Sequence, residues 1–349
     1  MPQVKSFNDS SSVALAYAIS PMDSKSDFVG ASRVDMKYIP FTTESFAMQK
    51  ESKSSTAISG TRRTQGSKNT KGSANGGATV EFGATPWVLD LLQLIMLSEW
   101  KNVDVGTPAL GKYITDGELK QYMVVEKTVR QGALATDRLD HEWYFGTMMN
   151  DATLNFGDGE LITLACNTMS ANADYGNALA GVDGLGGSVG KSKVAPSNYE
   201  IADSSNNLGN IEIRNDLDKL LEVTWSDASL QVQNNVREQS GLGRQFAAGI
   251  GIGKIAVTFS GEIYYYDQTI LKTHMTNKRV SLKTTISTAE GTFTIICPNM
   301  TAQAPTNNAE GENADYKSSM TLTAEAGEVT IGTHVDIPCV MAITYVPTP

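Results

Sequence analysis

The sequence predicts a mainly β protein. It reads as two tandem sandwich or barrel domains, each with a short α-helix and a long β-hairpin. Three observations carry this expectation. The chain has 31 glycines and only 19% charged residues; with many Thr, Ser and Val, this composition favours strands over helices. Apolar residues recur at period two, most cleanly at Ile255, Val257 and Phe259, as in a strand with one buried face. Finally, the stretch from Trp225 to Met275 has an approximate copy near residues 42–97. Each copy opens on a polar strand with an early serine (Ser45, Ser226) and passes a Gly/Arg turn (Gly60 to Arg62, Gly241 to Arg244). An alternating strand follows, then a segment carrying Asp and Leu (Asp90-Leu91, Asp267 to Leu271). The offset is near half the chain, which suits two domains better than a solenoid of short repeats.

The elements follow in order. Residues 1–35 read as an N-terminal arm with room for one strand in its short apolar stretch, Val13 to Ile19. Such an arm either docks on a neighbouring subunit or stays a loose terminus. The first domain spans 36–170 and starts with the strand from Met36 to Phe41. Residues 49–78 are polar and rich in glycine. They carry Lys50, Lys53, Arg62, Arg63, Lys68 and Lys71 against the single acid Glu51, and read as a long hairpin with a mobile basic tip. Such a tip suits an acidic partner surface, including another copy of the chain; a solvated loop is the plainer alternative.

Thr85 to Trp100 has helical spacing, with Thr85 placed to cap and Pro86 at the first helical position. Strands follow at 121–129, 142–149 and 160–168. Residues 171–215, rich in Ala, Gly and Ser, read as the connection, part of it packed on the first domain. The second domain spans 216–349. The alternation at Ile250 and Ile252 is out of phase with Ile255 onwards, which predicts a β-bulge or bend at Gly251–Lys254. Residues 301–330 form an acidic excursion, with Glu310, Glu312, Asp315, Glu325 and Glu328 against only Lys317. Thr333 to Tyr345 reads as the closing strand.

Several kinds of chemistry are disfavoured. A net charge of −10 suits solubility and repels nucleic acid, and no aromatic interleaves the basic residues to stack on bases. The N-terminus lacks the pattern of a signal peptide, and the longest apolar run, Val88 to Leu97, is too short to span a bilayer; synthesis in the cytoplasm is the expectation. Cys166, Cys297 and Cys339 have no metal or redox spacing and read as buried small hydrophobes. Gly184 to Ser192 falls short of a phosphate-binding loop because Leu185 replaces its first glycine. Gly249 to Ile255 fails because Ala248 and Ile255 stand where Gly and Ser/Thr are needed. His141, His274 and His334 lack metal spacing, and a surface or strand-edge His141 is expected. No nucleophile elbow appears. No catalytic residue, cofactor or metal is therefore expected.

The two copies resemble the tail tube (major tail) proteins of tailed bacteriophages. The carrying segments are Thr42 to Glu51 with Ala78 to Phe82 and the Leu91-Leu92-Gln93 helix, and Ser226 to Asn235 with Ile255 to Leu271. A polar strand, a glycine turn, a return strand and a short helix follow in the family's order. The resemblance covers most of 36–345. It implies a structural virion protein without catalysis, whose rings stack into a hollow tube that conducts DNA into the host. Its implied partners are itself, the tape measure protein, and tail terminator and tail-tip or baseplate proteins, with DNA passing unbound and no membrane. The basic hairpin at Lys50 to Lys71 is the implied inter-ring lock, and Glu310 to Glu328 a candidate acidic partner surface. Simple family members carry one tube domain and form six-subunit rings; two copies per chain imply a trimeric ring of pseudo-sixfold symmetry. Three alternatives stay open: one tube domain plus an immunoglobulin-type decoration domain, the tube of a contractile machine, and a carbohydrate-binding or adhesive β-sandwich on a virion or cell surface.

Overall fold

Alternating side chains at period two produce long strands here, and backbone pairing among them builds the molecule. A computed structural model describes residues 12–21, 34–57, 66–103, 111–130, 138–179, 188, 190–195, 198–216, 218–221, 223–265, 268–308, 312 and 315–348. The chain is mainly β. It opens with β1 (Val13–Ile19), β2 (Val34–Ile39), β3 (Thr43–Glu44), β4 (Ala47–Ser54) and β5 (Ser67–Glu81), then α1 (Pro86–Met96). There follow β6 (Lys101–Asn102), β7 (Lys112–Thr115), β8 (Met123–Arg130), β9 (Arg138–Gly157), β10 (Thr163–Leu179) and β11 (Gly190–Val194). Next come β12 (Glu212–Asn215), β13 (Leu220–Leu221), β14 (Trp225–Gln233), β15 (Arg237–Gln239), β16 (Gly249–Gly251) and β17 (Ala256–Tyr264), then α2 (Thr269–Met275). The chain closes with β18 (Arg279–Thr288), β19 (Gly291–Ala302), β20 (Thr306–Asn308), β21 (Lys317–Glu325), β22 (Gly327–Ile331), β23 (His334–Cys339) and β24 (Ala342–Pro347).

The two halves share an order of pairing. In the first, β8, β9, β10, β5 and β4 lie side by side, every neighbour antiparallel. In the second, β18, β19, β21, β17 and β14 do the same. A helix follows the hairpin in both: α1 after β4–β5, α2 after β14–β17.

Strand β9 joins the halves. β10 occupies one of its edges along its length. The other is divided between β8, which takes Leu139 to Thr147, and β14, which takes Asp151 to Gly157. A second joint pairs β7 with β24, Ile114 opposite Ile343. Asp116 Oδ1 accepts from Val340 N at 2.6 Å and Met341 N at 3.1 Å beside it. One hydrophobic cluster consequently draws on both halves, with Phe82, Leu92 and Leu154 packed together with Leu230, Phe293 and Ile343.

Helix α1 forms as its sequence dictates. Thr85 Oγ1 accepts from Val88 N at 3.4 Å, Pro86 takes the first turn, and Leu97 ends the helix at φ 47°. Trp87, Val88, Leu91, Leu92, Leu94, Ile95 and Met96 are buried.

Two local expectations hold in part and two change. The one strand allowed for in the arm is β1, but it pairs with β2 and β8 of its own chain, with Leu15, Ala16 and Tyr17 buried; residues 1–11 and 22–33 lie outside the described set. Residues 171–215, expected as a connection, carry the end of β10, β11 parallel to β2, and β12 against β18. Of the bulge or bend expected at Gly251–Lys254, the bend fits: the chain leaves the small β15–β16 sheet and enters the large one as β17. Gly253 permits this, since a Cβ there would lie 2.7 Å from the Asn235 carbonyl oxygen. The closing strand from Thr333 to Tyr345 is two strands: β23 pairs back on β22, and β24 crosses to β19 and β7.

Candidate assembly surfaces

The basic residues of 49–78 lie on the β4–β5 hairpin, where Ala47 faces Asn75 and Ser54 faces Ser67. Its stem leaves the body of the protein: Gln49 to Ser54 and Ser67 to Thr70 are exposed on both faces. Lys50, Lys53 and Lys68 belong to this free part. A two-stranded ribbon with nothing packed on either face is marginally stable in water, so this stem is suited to a partner. Arg62 and Arg63 lie outside the described residues. Lys71 differs from the others because it is used within the chain. Its ammonium is 2.7 Å from Glu238, whose carboxylate raises the lysine's pKa. Gly72 N donates to Gln245 O at 2.7 Å, and a Cβ on Gly72 would strike the Phe246 ring. The root of the hairpin is therefore fixed against the second half, and the remainder projects. Sequence reading missed Glu238 because the partners lie far apart in the chain.

The acidic residues do not form one surface. Glu312 and Asp315 are exposed and lead into β21 beside Tyr264, since Tyr264 faces Lys317. Glu325 is at the other end of β21, ion-paired with Arg279 at 2.9 Å. Glu328 is exposed on β22. Glu310 lies outside the described residues. Of the candidates, then, Glu312 and Asp315 share one end of the β14–β17–β21 strands. The basic stem projects at the opposite end, where Gly72 meets the loop that follows β15.

The arrangement nearest to a chemical constellation is sealed. Glu126 is fully buried on β8; its carboxylate accepts from Trp143 Nε1 at 2.9 Å and Ser188 Oγ at 3.0 Å, and binds the Lys193 ammonium. His141 Nδ1 is 3.3 Å away, stacked on Trp143. Burial opposes the charge on Glu126, but the hydrogen bond with His141 and the Lys193 ammonium outweigh it and hold the carboxyl well below its usual range. His141, expected at a surface or strand edge, is buried instead, because β9 is covered on both edges and this face packs on Glu126. The cluster fastens β11 to β8 and presents no open face to a substrate.

Cys166, Cys297 and Cys339 are buried free thiols, and burial pushes Cys166 and Cys339 up to about 12. Of the near-miss phosphate loop, residues 184–187 and 189 are outside the described set; Gly190, Lys191 and Ser192 begin strand β11, not a helix. Among the described residues no group of three or more His, Cys, Asp or Glu could hold a metal ion, and no helix is long and apolar enough to cross a membrane.

A family model described as phage tail tube protein matches residues 10–326. No curated protein matches the chain.

Proposed function

Since the chain belongs to the phage tail tube protein family, a family of structural tail components, we propose that it polymerises as stacked rings into the hollow tube that conducts DNA. The observation that carries this reading is the free-standing, polar β4–β5 stem, exposed on both faces while its root is pinned by Lys71–Glu238. A device of this form reaches a neighbour without refolding. Lys50, Lys53 and Lys68 are its candidate contacts to the next ring, and Glu312 and Asp315 their candidate counterparts.

The shared pairing order of the two halves supports a duplicated tube domain. Three chains then give a ring of pseudo-sixfold symmetry. The net charge of −10 supports a lumen past which DNA slides without sticking. The partners are further copies, the tape measure protein, and tail terminator and tail-tip or baseplate proteins; assembly takes place in the host cytoplasm. The role is structural, with no catalysis.

Negative-stain electron microscopy of concentrated protein tests this. Rings or tubes of uniform bore, three chains per ring, are expected. Compact particles that never stack would overturn the tube, and six chains per ring would overturn the trimer. The Lys50→Glu/Lys53→Glu/Lys68→Glu variant is expected to fold normally and lose its tubes.

A further inference from the structure

Leu242 is the most exposed large apolar side chain among the described residues, at 106%. It stands in the loop between β15 and β16, flanked by Gly241 and Gly243, with exposed Arg244 close by. A leucine held wholly in water gains by burial, and glycine on either side leaves room for a partner to close over it.

A matching hollow lies at the far end of the same strands. Two open clefts of ≈ 380 and ≈ 760 Å³ share Leu220, Leu221, Val223, Tyr264 and Tyr265 as walls. Leu220 and Tyr264 are 44% and 41% exposed. Trp225 lines the larger cleft, and its buried Nε1 finds no hydrogen-bond partner among the described residues. Contiguous exposed apolar surface of this kind marks an interaction site, and aromatic walls are typical of the well-packed centre of an interface. The charges at the rim are mixed and largely paired within the chain: Asp216 with Lys278 at 3.2 Å and Asp218 with Arg214 at 3.4 Å, with exposed Lys219 beside them.

The two features cannot meet within one copy. Strand β14 begins at Trp225, beside the cleft, and ends at Gln233, where the chain enters the Leu242 loop. Nine extended residues put about 30 Å between them. We propose that Leu242 of one copy seats in the Leu220–Tyr264 cleft of the next. A knob at one end and a socket at the other make a head-to-tail contact, which repeats along an axis instead of closing on itself. The charges share this polarity: Lys50, Lys53 and Lys68 project at the Leu242 end, while Glu312 and Asp315 lie at the cleft end, where Tyr265 N donates to Tyr316 O. The contact rests on the tube reading for its biological direction and names the surfaces that join one ring to the next.

The test is a Leu242→Cys/Leu220→Cys double variant of the full chain, assembled under mild oxidation. All three native thiols are buried, so the introduced pair report the contact. A ladder of covalent multimers on non-reducing gels is expected from the double variant, while each single variant stops at dimers at most. Tubes by microscopy without a ladder beyond that of the single variants would overturn the contact and leave the tube reading standing. A ladder without tubes would support the contact and overturn the tube. Neither tubes nor ladder would overturn both.

Discussion

Helix and hairpin occupy equivalent places in the two halves but are used in opposite ways. In the first half, α1 has eleven residues, is capped by Thr85 and buries seven side chains, while the β4–β5 stem beyond it is polar and exposed. In the second half, β14–β17 is the buried partner. It lies between β9 and β21, with Leu230, Val232, Val257 and Phe259 in the core. Its helix α2 has seven residues and no side-chain cap, and leaves Leu271 and Met275 exposed. The outer edge of β14 is paired with β9; that of β3 and β4 carries no strand among the described residues. One order of strands thus serves two purposes, with apolar residues placed on the helix in one half and on the hairpin in the other. The first half leaves its hairpin stem unpacked and exposed.

The comparison breaks most sharply at the helices. Leu94→Ala on α1 removes a side chain with no exposure and is expected to destabilise by about 4 kcal/mol. Leu271→Ala on α2, where the side chain is 38% exposed, is expected to cost less than about 1 kcal/mol. Denaturant melts of the two variants decide it, and equal losses would erase the distinction.

The next effect is electrostatic. Only the first half, among the described residues, is fastened by a buried carboxylate holding a lysine and a histidine. Glu126→Gln leaves Lys193 without its counter-charge, an expected loss of about 3 kcal/mol at neutral pH. The sign of the pH dependence follows from the lowered pKa. The carboxylate's contribution is complete above the ordinary glutamate value and declines as pH falls below it toward the folded value. Wild-type stability should therefore fall in acid with a slope that Glu126→Gln reduces, and parallel melts from pH 7 to pH 3 measure it. The smallest effect is the cap. Thr85→Ala should cost about 1 kcal/mol, whereas Gln268→Ala at the start of α2, which makes no side-chain cap bond, should change stability by less than about 0.5 kcal/mol.

Local signals were legible and distant ones were not. Thr85, Pro86 and the helical spacing beyond them locate α1, and Val257 and Phe259 locate a half-buried strand, because each depends on residues within a few positions. The hairpin was readable from its glycines and lysines, but the commitment of Lys71 was not, since Glu238 approaches only through the fold. The same limit hid the β9–β14 seam and the change of sheets behind the phase slip at Gly253. Glu126 carried a faint clue, a lone acid ending the apolar run of Met123, Val124 and Val125, yet its partners His141 and Lys193 come from other strands. The Leu220–Tyr264 cleft had no sequence signature, because its walls come from separate segments and none is unusual alone.

The pairing of β7 with β24 sets a timetable for the chain's birth. Asp116 and Val340 are 224 residues apart, so this joint has one of the longest loops in the molecule to close, the kind of contact that slows folding. At ribosomal speeds of about 5–20 residues per second, the first half waits roughly 10–50 s for its last strand. During that interval the inner face of the first half is open and α1 lacks the cover of Phe293 and Ile343. Self-association before closure would trap unfinished subunits. The late strand thus orders events in time: the interior closes only once the last strand has been made.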